Sequence, residues 1–192
     1  MFALNWCGYA GSGEKEAVLT EVGENIDWGD DLGGIYAHGI DLVEIGRIKQ
    51  ALSRFDGDFL CRILTACEIE ALPPTRNARF YEWVAGRFAA KEAIAKTLGC
   101  GIGRKLAWAD MDIRTGKSGQ PEVYLSENGY AALMEYVVSM KFPVSTEVDV
   151  LKLQKGKGEA IFKAAPCLKL SLTHTAELAM ASCILTISTK II

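Results

Sequence analysis

Apolar residues recur in two periods along this chain, and the switches between them mark the predicted elements. Residues 35–43 read as a strand interrupted by Gly39, after which Ile45, Ile48, Leu52 and Phe55 repeat at helical spacing over 44–55. A second helix is predicted over 59–72, broken at Thr65, where Glu68 three residues on has capping-box spacing and Pro73-Pro74 ends the run. Phe80, Trp83, Val84, Phe88, Ala95 and Leu98 define a long alanine-rich helix stopped by Gly99, in the place of a left-handed cap. Strands at 111–114 and 122–125 flank a Gly-Lys-Ser-Gly-Gln-Pro turn, and Ser126 caps a helix to about Val138. Two strands, 168–172 and 178–188, close the chain; the very apolar 178–187 is too short to span a bilayer and reads as buried. The predicted class is α+β, a few helices packed on an antiparallel sheet.

Two stretches fall outside this pattern. Residues 1–34 hold seven glycines and, beyond a short helical stretch at 14–22, no sustained period. They are set aside as an N-terminal extension, which leaves three readings open: an ordered cap, a disordered tail, or a start codon placed too far upstream. Residues 35–192 are the domain proper. Within it, about 137–166 reads as an insertion in which alternation at Val144, Val148 and Val150 and the run Lys155-Gly156-Lys157-Gly158 suggest a hairpin.

Composition narrows the function classes. A chain of 192 residues with 49% hydrophobic content builds one core without disulfides or metal. Twenty-one basic against 24 acidic side chains, net charge -3, argue against a nucleic-acid or other general polyanion binder. Six cysteines without a Cys-x-x-Cys pair read as reduced, mostly buried thiols. No secretion signal or membrane span is visible, so a cytoplasmic protein is expected.

Several polar residues have ordinary readings when taken singly. Asp41, a carboxylate near the end of an apolar strand, needs a partner and reads as a helix cap or half of an ion pair. Glu92 and Lys96 lie four apart, the spacing of a surface ion pair. Arg47 and Arg54, seven apart, point one way while Ile45, Ile48, Leu52 and Phe55 point to the core, so the arginines read as a solvated face. His174, like His38, reads as a structural hydrogen-bonding histidine.

Three strings change that weighting: Gly39-Ile40-Asp41-Leu42-Val43-Glu44-Ile45, then Gly86-Arg87-Phe88-Ala89-Ala90-Lys91-Glu92-Ala93-Ile94-Ala95-Lys96, then Ser171-Leu172-Thr173-His174-Thr175. In order and rough spacing they resemble the signature segments of holo-acyl-carrier-protein synthases, of the 4'-phosphopantetheinyl transferase superfamily, over about 35–136 and 167–186. The resemblance implies that superfamily's fold and a magnesium enzyme of fatty-acid or polyketide metabolism. Such an enzyme moves 4'-phosphopantetheine from coenzyme A to a serine of an acyl carrier protein and releases adenosine 3',5'-bisphosphate. It further implies Asp41 and Glu92 as metal ligands, fitting magnesium's preference for one or two carboxylates plus substrate phosphates. Glu92, Lys96 and His174 become catalytic, Lys96 steadying the leaving group; the base is either Glu92 or a metal-bound water. Lys96, His174, Arg87 and the Gly99 and Gly101 loop become coenzyme contacts, although for Arg87, as for Arg79, a packing or salt-bridge role is nearly as well supported. Arg47 and Arg54 become a docking stripe for an acidic carrier. Short members of the family are trimers with interfacial active sites, so a homotrimer is implied.

Other functions remain to be weighed. A non-catalytic module binding coenzyme A or the carrier has little need of both carboxylates, and a metal-dependent phosphohydrolase has no use for the arginine stripe.

Overall fold

The computed structural model of the chain describes residues 2–3, 34–140, 151–155 and 158–191. In chain order these form β1 (Phe2–Ala3), β2 (Gly34–Glu44), α1 (Ile45–Ile63), α2 (Ala66–Glu70), α3 (Ala78–Thr97), β3 (Met111–Thr115), β4 (Pro121–Leu125), α4 (Glu127–Ser139), β5 (Leu151–Lys155), β6 (Gly158–His174) and β7 (Leu178–Ile191). Two antiparallel sheets result. One has the order β1-β4-β3 and the other, which carries the site residues, β2-β7-β6-β5. The predicted α+β class is the observed one.

Most element ends fall where local chemistry places them. Thr65 and Glu68 form the predicted capping box, the hydroxyl accepting from Glu68 N at 3.2 Å and the carboxylate from Thr65 N at 2.8 Å. Asn77 caps α3 and Ser126 caps α4. Gly99 follows α3 at φ 62, the left-handed conformation that glycine adopts without a Cβ penalty.

Three expectations need correction. The helix that begins at Ile45 runs on to Ile63 through a kink at Asp56 (φ 30, ψ -109). Phe55, expected in the core, is 62% exposed: at 100° per residue it lies about 80° from Ile45, on the rim of the stripe where the kink begins. The cysteines are not mostly buried. Of the five described, Cys61 and Cys67 are exposed, Cys100 and Cys167 are partly covered, and only Cys183 is buried, its thiol pushed up to about 12 by desolvation.

The last strands are longer than predicted: β6 begins at Gly158, inside the interval read as an insertion, and β7 runs on to Ile191. β5 pairs with β6 from Leu151↔Phe162 to Lys155↔Gly158, a hairpin across the Lys-Gly-Lys-Gly run. Pro166, within β6, lies beyond the last β5 pair, where β6 is an edge and a missing ladder N–H is tolerated. The Val144, Val148 and Val150 alternation lies outside the described residues. No described helix is long and apolar enough to cross a membrane.

Register fixes which residues share the inner face of the larger sheet. Asp41 pairs with Ala181 and Ala181 with Leu172; one row along, Val43, Ala179 and His174 are in line. Helix α3 packs on this face, with Val84, Ala85, Ala89, Ala90, Ala93 and Ile94 fully buried. It sits closest at Gly39, where an added Cβ would lie 2.2 Å from Ala93 O and 2.5 Å from Thr97 N. Backbone cannot be moved as a side chain can, so Gly39 is the point at which helix and strand touch without an intervening residue. Thr97 Oγ1, 2.8 Å from Ala93 O and 3.2 Å from Cys183 O, binds the same end of the helix to β7.

Gly39→Ala is therefore expected to lift the C-terminal half of α3 off the sheet. Overpacking of about 1–3 kcal/mol or more corresponds to a melting temperature lower by roughly 5–10 °C. Calorimetry giving an unchanged melting temperature would show that the contact is not tight.

Candidate active site

The inward row of β2 delivers Asp41 beneath α3, and the helix delivers Glu92 and Lys96 one turn apart. Lys96 does not make its short contact along its own helix: its Nζ donates to Asp41 Oδ1 at 2.8 Å and to Ile40 O at 3.1 Å. The Asp41 side chain is only 13% exposed, so the ammonium supplies the partner that a covered carboxylate requires. Glu92 is half-buried. Burial, then the like charge of Asp41, push its pKa above the usual carboxylate range, with Lys96 opposing. Two mutually repelling carboxylates beside one ammonium attract a further cation, and hard oxygen donors with room for other ligands suit magnesium. No group of three or more metal-ligating side chains occurs among the described residues, so water or substrate oxygens would complete an octahedron here.

His174 is not part of this cluster. It stands at the end of β6, two strands from β2, about 10 Å away across the ladder and one pair further along. There it lines a cleft of about 170 Å³ with Arg79, Glu82, Trp83, Arg87 and Thr173, its Nδ1 3.9 Å from Glu82 Oε2. The Arg87 guanidinium stacks over the Trp83 ring at 4.2 Å. It is 8% exposed, and its Nε is buried without a hydrogen-bond partner. An unsatisfied buried donor costs about 1–3 kcal/mol, which an anion seated in the cleft would recover. Desolvation lowers the Arg87 pKa, opposed by the charges of Glu68 and Asp112. Arg87 and Glu92 are five residues apart, about 140° around the helix, and so face different sides of it.

The remaining candidates lie elsewhere. Gly99 and Gly101, both at φ 62, follow the C-terminal end of α3; Gly99 borders another cleft, of about 430 Å³, with Cys100, Lys105 and Tyr136. Arg47 and Arg54 are exposed on α1 while Ile45, Ile48 and Leu52 are buried, as expected. Exposed Phe55 adds an apolar group to that end of the helix. His38 pairs with Ser182 Oγ at 2.9 Å, in keeping with a structural role. The pattern of α3 gives no sign that Lys91, next to Glu92, is fully buried against Glu68. An isolated lysine in a run of alanines was the available signal.

In the metal-free protein, Glu92 is expected to titrate above the ordinary carboxylate midpoint. Asp41→Asn should bring the midpoint down and Lys96→Met raise it further, as followed by carboxyl-carbon NMR. A raised folded-state pKa means that the native protein keeps this proton to higher pH than the unfolded chain. Stability therefore falls as pH rises through the interval between the two midpoints, and Glu92→Gln should remove that slope. An ordinary midpoint insensitive to Asp41→Asn would show that the two carboxylates do not interact.

The model of the 4'-phosphopantetheinyl transferase superfamily matches residues 37–146. The holo-[acyl-carrier-protein] synthase of Chloroherpeton thalassium is 46% identical over 89 residues, covering 46% of this chain and 72% of that protein. That of Bacillus subtilis is 35% identical over 119 residues, covering 62% and 98%. Among solved structures, a holo-(acyl-carrier-protein) synthase from Bacillus anthracis in complex with CoA (3',5'-ADP) superposes with a TM-score of 0.54 at 28% identity, over 79% of this chain and 96% of that one. With the match spanning the strand of Asp41 and the helix of Glu92 and Lys96, the chain belongs to the 4'-phosphopantetheinyl transferase superfamily, as an enzyme of the holo-[acyl-carrier-protein] synthase family.

Proposed function

We propose that this enzyme, whose family transfers phosphopantetheine to acyl carrier protein, takes the group from coenzyme A with magnesium bound by Asp41 and Glu92 and releases adenosine 3',5'-bisphosphate. The observation that carries the reading is the juxtaposition of Asp41, Glu92 and Lys96: two carboxylates held together beside an ammonium, open on one side. Magnesium held by Asp41 and Glu92 would supply positive charge to offset that of the diphosphate.

The protein groups divide the rest of the work. Asp41 accepts from Lys96 through Oδ1, leaving Oδ2 for the metal, and their contact aims the ammonium at the diphosphate, where it offsets charge developing on the leaving nucleotide oxygen. Glu92, the other carboxylate of the cluster, is a candidate to take the proton of the carrier serine. The serine oxygen bonds to the phosphorus bearing pantetheine as the bond from that phosphorus to the nucleotide oxygen breaks. Arg87 and His174 bind a phosphate of the coenzyme, a role supported by the cleft they line with Arg79 and Glu82 and by the buried Arg87 Nε that lacks a hydrogen-bond partner. Gly99 and Gly101 contribute a wall of the coenzyme pocket rather than a contact for the reacting phosphate. Arg47 and Arg54, with Phe55 between them and the kink, receive the acidic carrier.

The separation of the two polar centres on one chain favours a site completed by a neighbouring copy, as in a homotrimer. On the sheet face turned away from α3, Ile40 and Leu42 are 49% and 58% exposed, apolar area suited to a subunit contact. Free cysteines fit a reducing cytoplasm.

Carrier modification followed by mass spectrometry tests the reading. With coenzyme A and magnesium, apo-carrier should gain the phosphopantetheine mass; Asp41→Asn or Glu92→Gln should slow the gain by at least about a hundredfold without loss of fold. Arg47→Glu or Arg54→Glu should raise KM for the carrier alone. Near-normal rates in both carboxylate variants would overturn the metal-site assignment, and a parallel rise in KM for coenzyme A would overturn the docking assignment.

A further inference from the structure

The most deeply buried charge in the described chain plays no part in the chemistry above. Lys91 is fully buried in α3, and all three of its ammonium protons have acceptors: Glu68 Oε2 at 2.6 Å, Ile63 O at 2.7 Å and Trp108 O at 3.1 Å. Glu68 is itself saturated, accepting from Thr65 N at 2.8 Å and Ile113 N at 3.0 Å. Thr65 Oγ1 donates onward to Asp112 Oδ1 at 2.7 Å, and Asp112 Oδ2 accepts from Arg114 Nε at 2.7 Å. One ammonium thus fastens α3 to the end of α1, the capping box of α2, the 3-10 turn Trp108–Asp110 and, through Glu68, to β3.

The packing of α3 explains why such a fastening matters. Five of its eleven buried residues are alanines, at 85, 89, 90, 93 and 95, and its C-terminal half lies on Gly39. Small side chains allow close approach but give few ridges to resist rotation about the helix axis. A carboxylate about 6 Å from that axis moves about 1 Å for a 10° turn, a displacement that can cost about a hundredfold in rate. Lys91 precedes Glu92 directly, so fixing the azimuth of one fixes the other. We propose that the Lys91–Glu68 pair is a positioning pair, holding the rotation of α3 so that Glu92 faces Asp41. The proposal rests on the reading of Glu92 as a residue of the reacting site.

The test separates positioning from stability. Lys91→Met alone strands a buried carboxylate and should lower the melting temperature by roughly 10 °C. Lys91→Met with Glu68→Gln leaves neither charge and keeps one acceptor for the capping box, but sets the amide NH2 toward Ile113 N and leaves Ile63 O and Trp108 O without their donor, so only part of that loss should be regained. The double variant should still show kcat reduced about tenfold to a hundredfold, with KM for coenzyme A and carrier little changed, and Mn2+ affinity measured by electron paramagnetic resonance weakened to a similar degree. Leu133→Ala, a buried change in α4 outside the pair's hydrogen bonds, supplies the control for destabilisation alone. Wild-type kcat and Mn2+ affinity in the double variant would overturn the proposal. So would an equal loss in Leu133→Ala at matched melting temperature, whether or not the double variant regains stability. Glu92→Gln in the same series distinguishes the failures: normal turnover there defeats the reading of Glu92 itself, whereas a fully active double variant beside an inactive Glu92→Gln defeats positioning alone.

Discussion

The contact of α3 with Gly39 is the constraint on which the rest of the architecture depends. A helix normally stands off a sheet by the length of its side chains, but here Ala93 and Thr97 backbone atoms lie where a Cβ of residue 39 would be. That approach lets Lys96 reach the carboxylate of Asp41, two residues along the strand, and brings Glu92 within range of the same charge. The other half of the helix meets β6, placing Arg87 in the cleft that His174 lines. One helix crossing one sheet therefore creates two polar centres, facing different ways.

Much of this was legible in the sequence, for identifiable reasons. Caps and stops are local chemistry, so Thr65, Glu68, Ser126 and Gly99 act where their neighbours predict. Residues suited to strands marked the closing pair, although not its length, because β6 and β7 gain their extension from pairing with each other and with β5, a long-range property. The proximity of Asp41 to Lys96 came from family likeness, since the two are far apart along the chain and nothing in either segment specifies the other. Phe55 and Lys91 mark the limit of periodicity. Periodicity placed the phenylalanine inside, where the kink of α1 instead leaves it exposed, and nothing in the period of α3 marks the lysine as buried against a partner on α2.

Burial of Lys91 beside a half-exposed Glu92 gives the catalytic helix an unusual distribution of charge. A buried ion pair contributes little net stability compared with an apolar pair, but it is strict about geometry. Alanines give closeness and the ion pair gives orientation; both are needed if two carboxylates on different elements are to share one cation.

The central claim is that one chain carries both halves of the site but joins them only with a neighbour. Complementation tests it most directly. Glu92→Gln and His174→Ala chains, each impaired alone, are co-expressed with different tags, and the mixed assembly is isolated through both. If the site is interfacial, mixed trimers contain on the order of one intact site in three, and carrier modification should return to a comparable fraction of wild type. Mixed assemblies no more active than the separate variants would place Glu92 and His174 in the same chain's site and contradict the account.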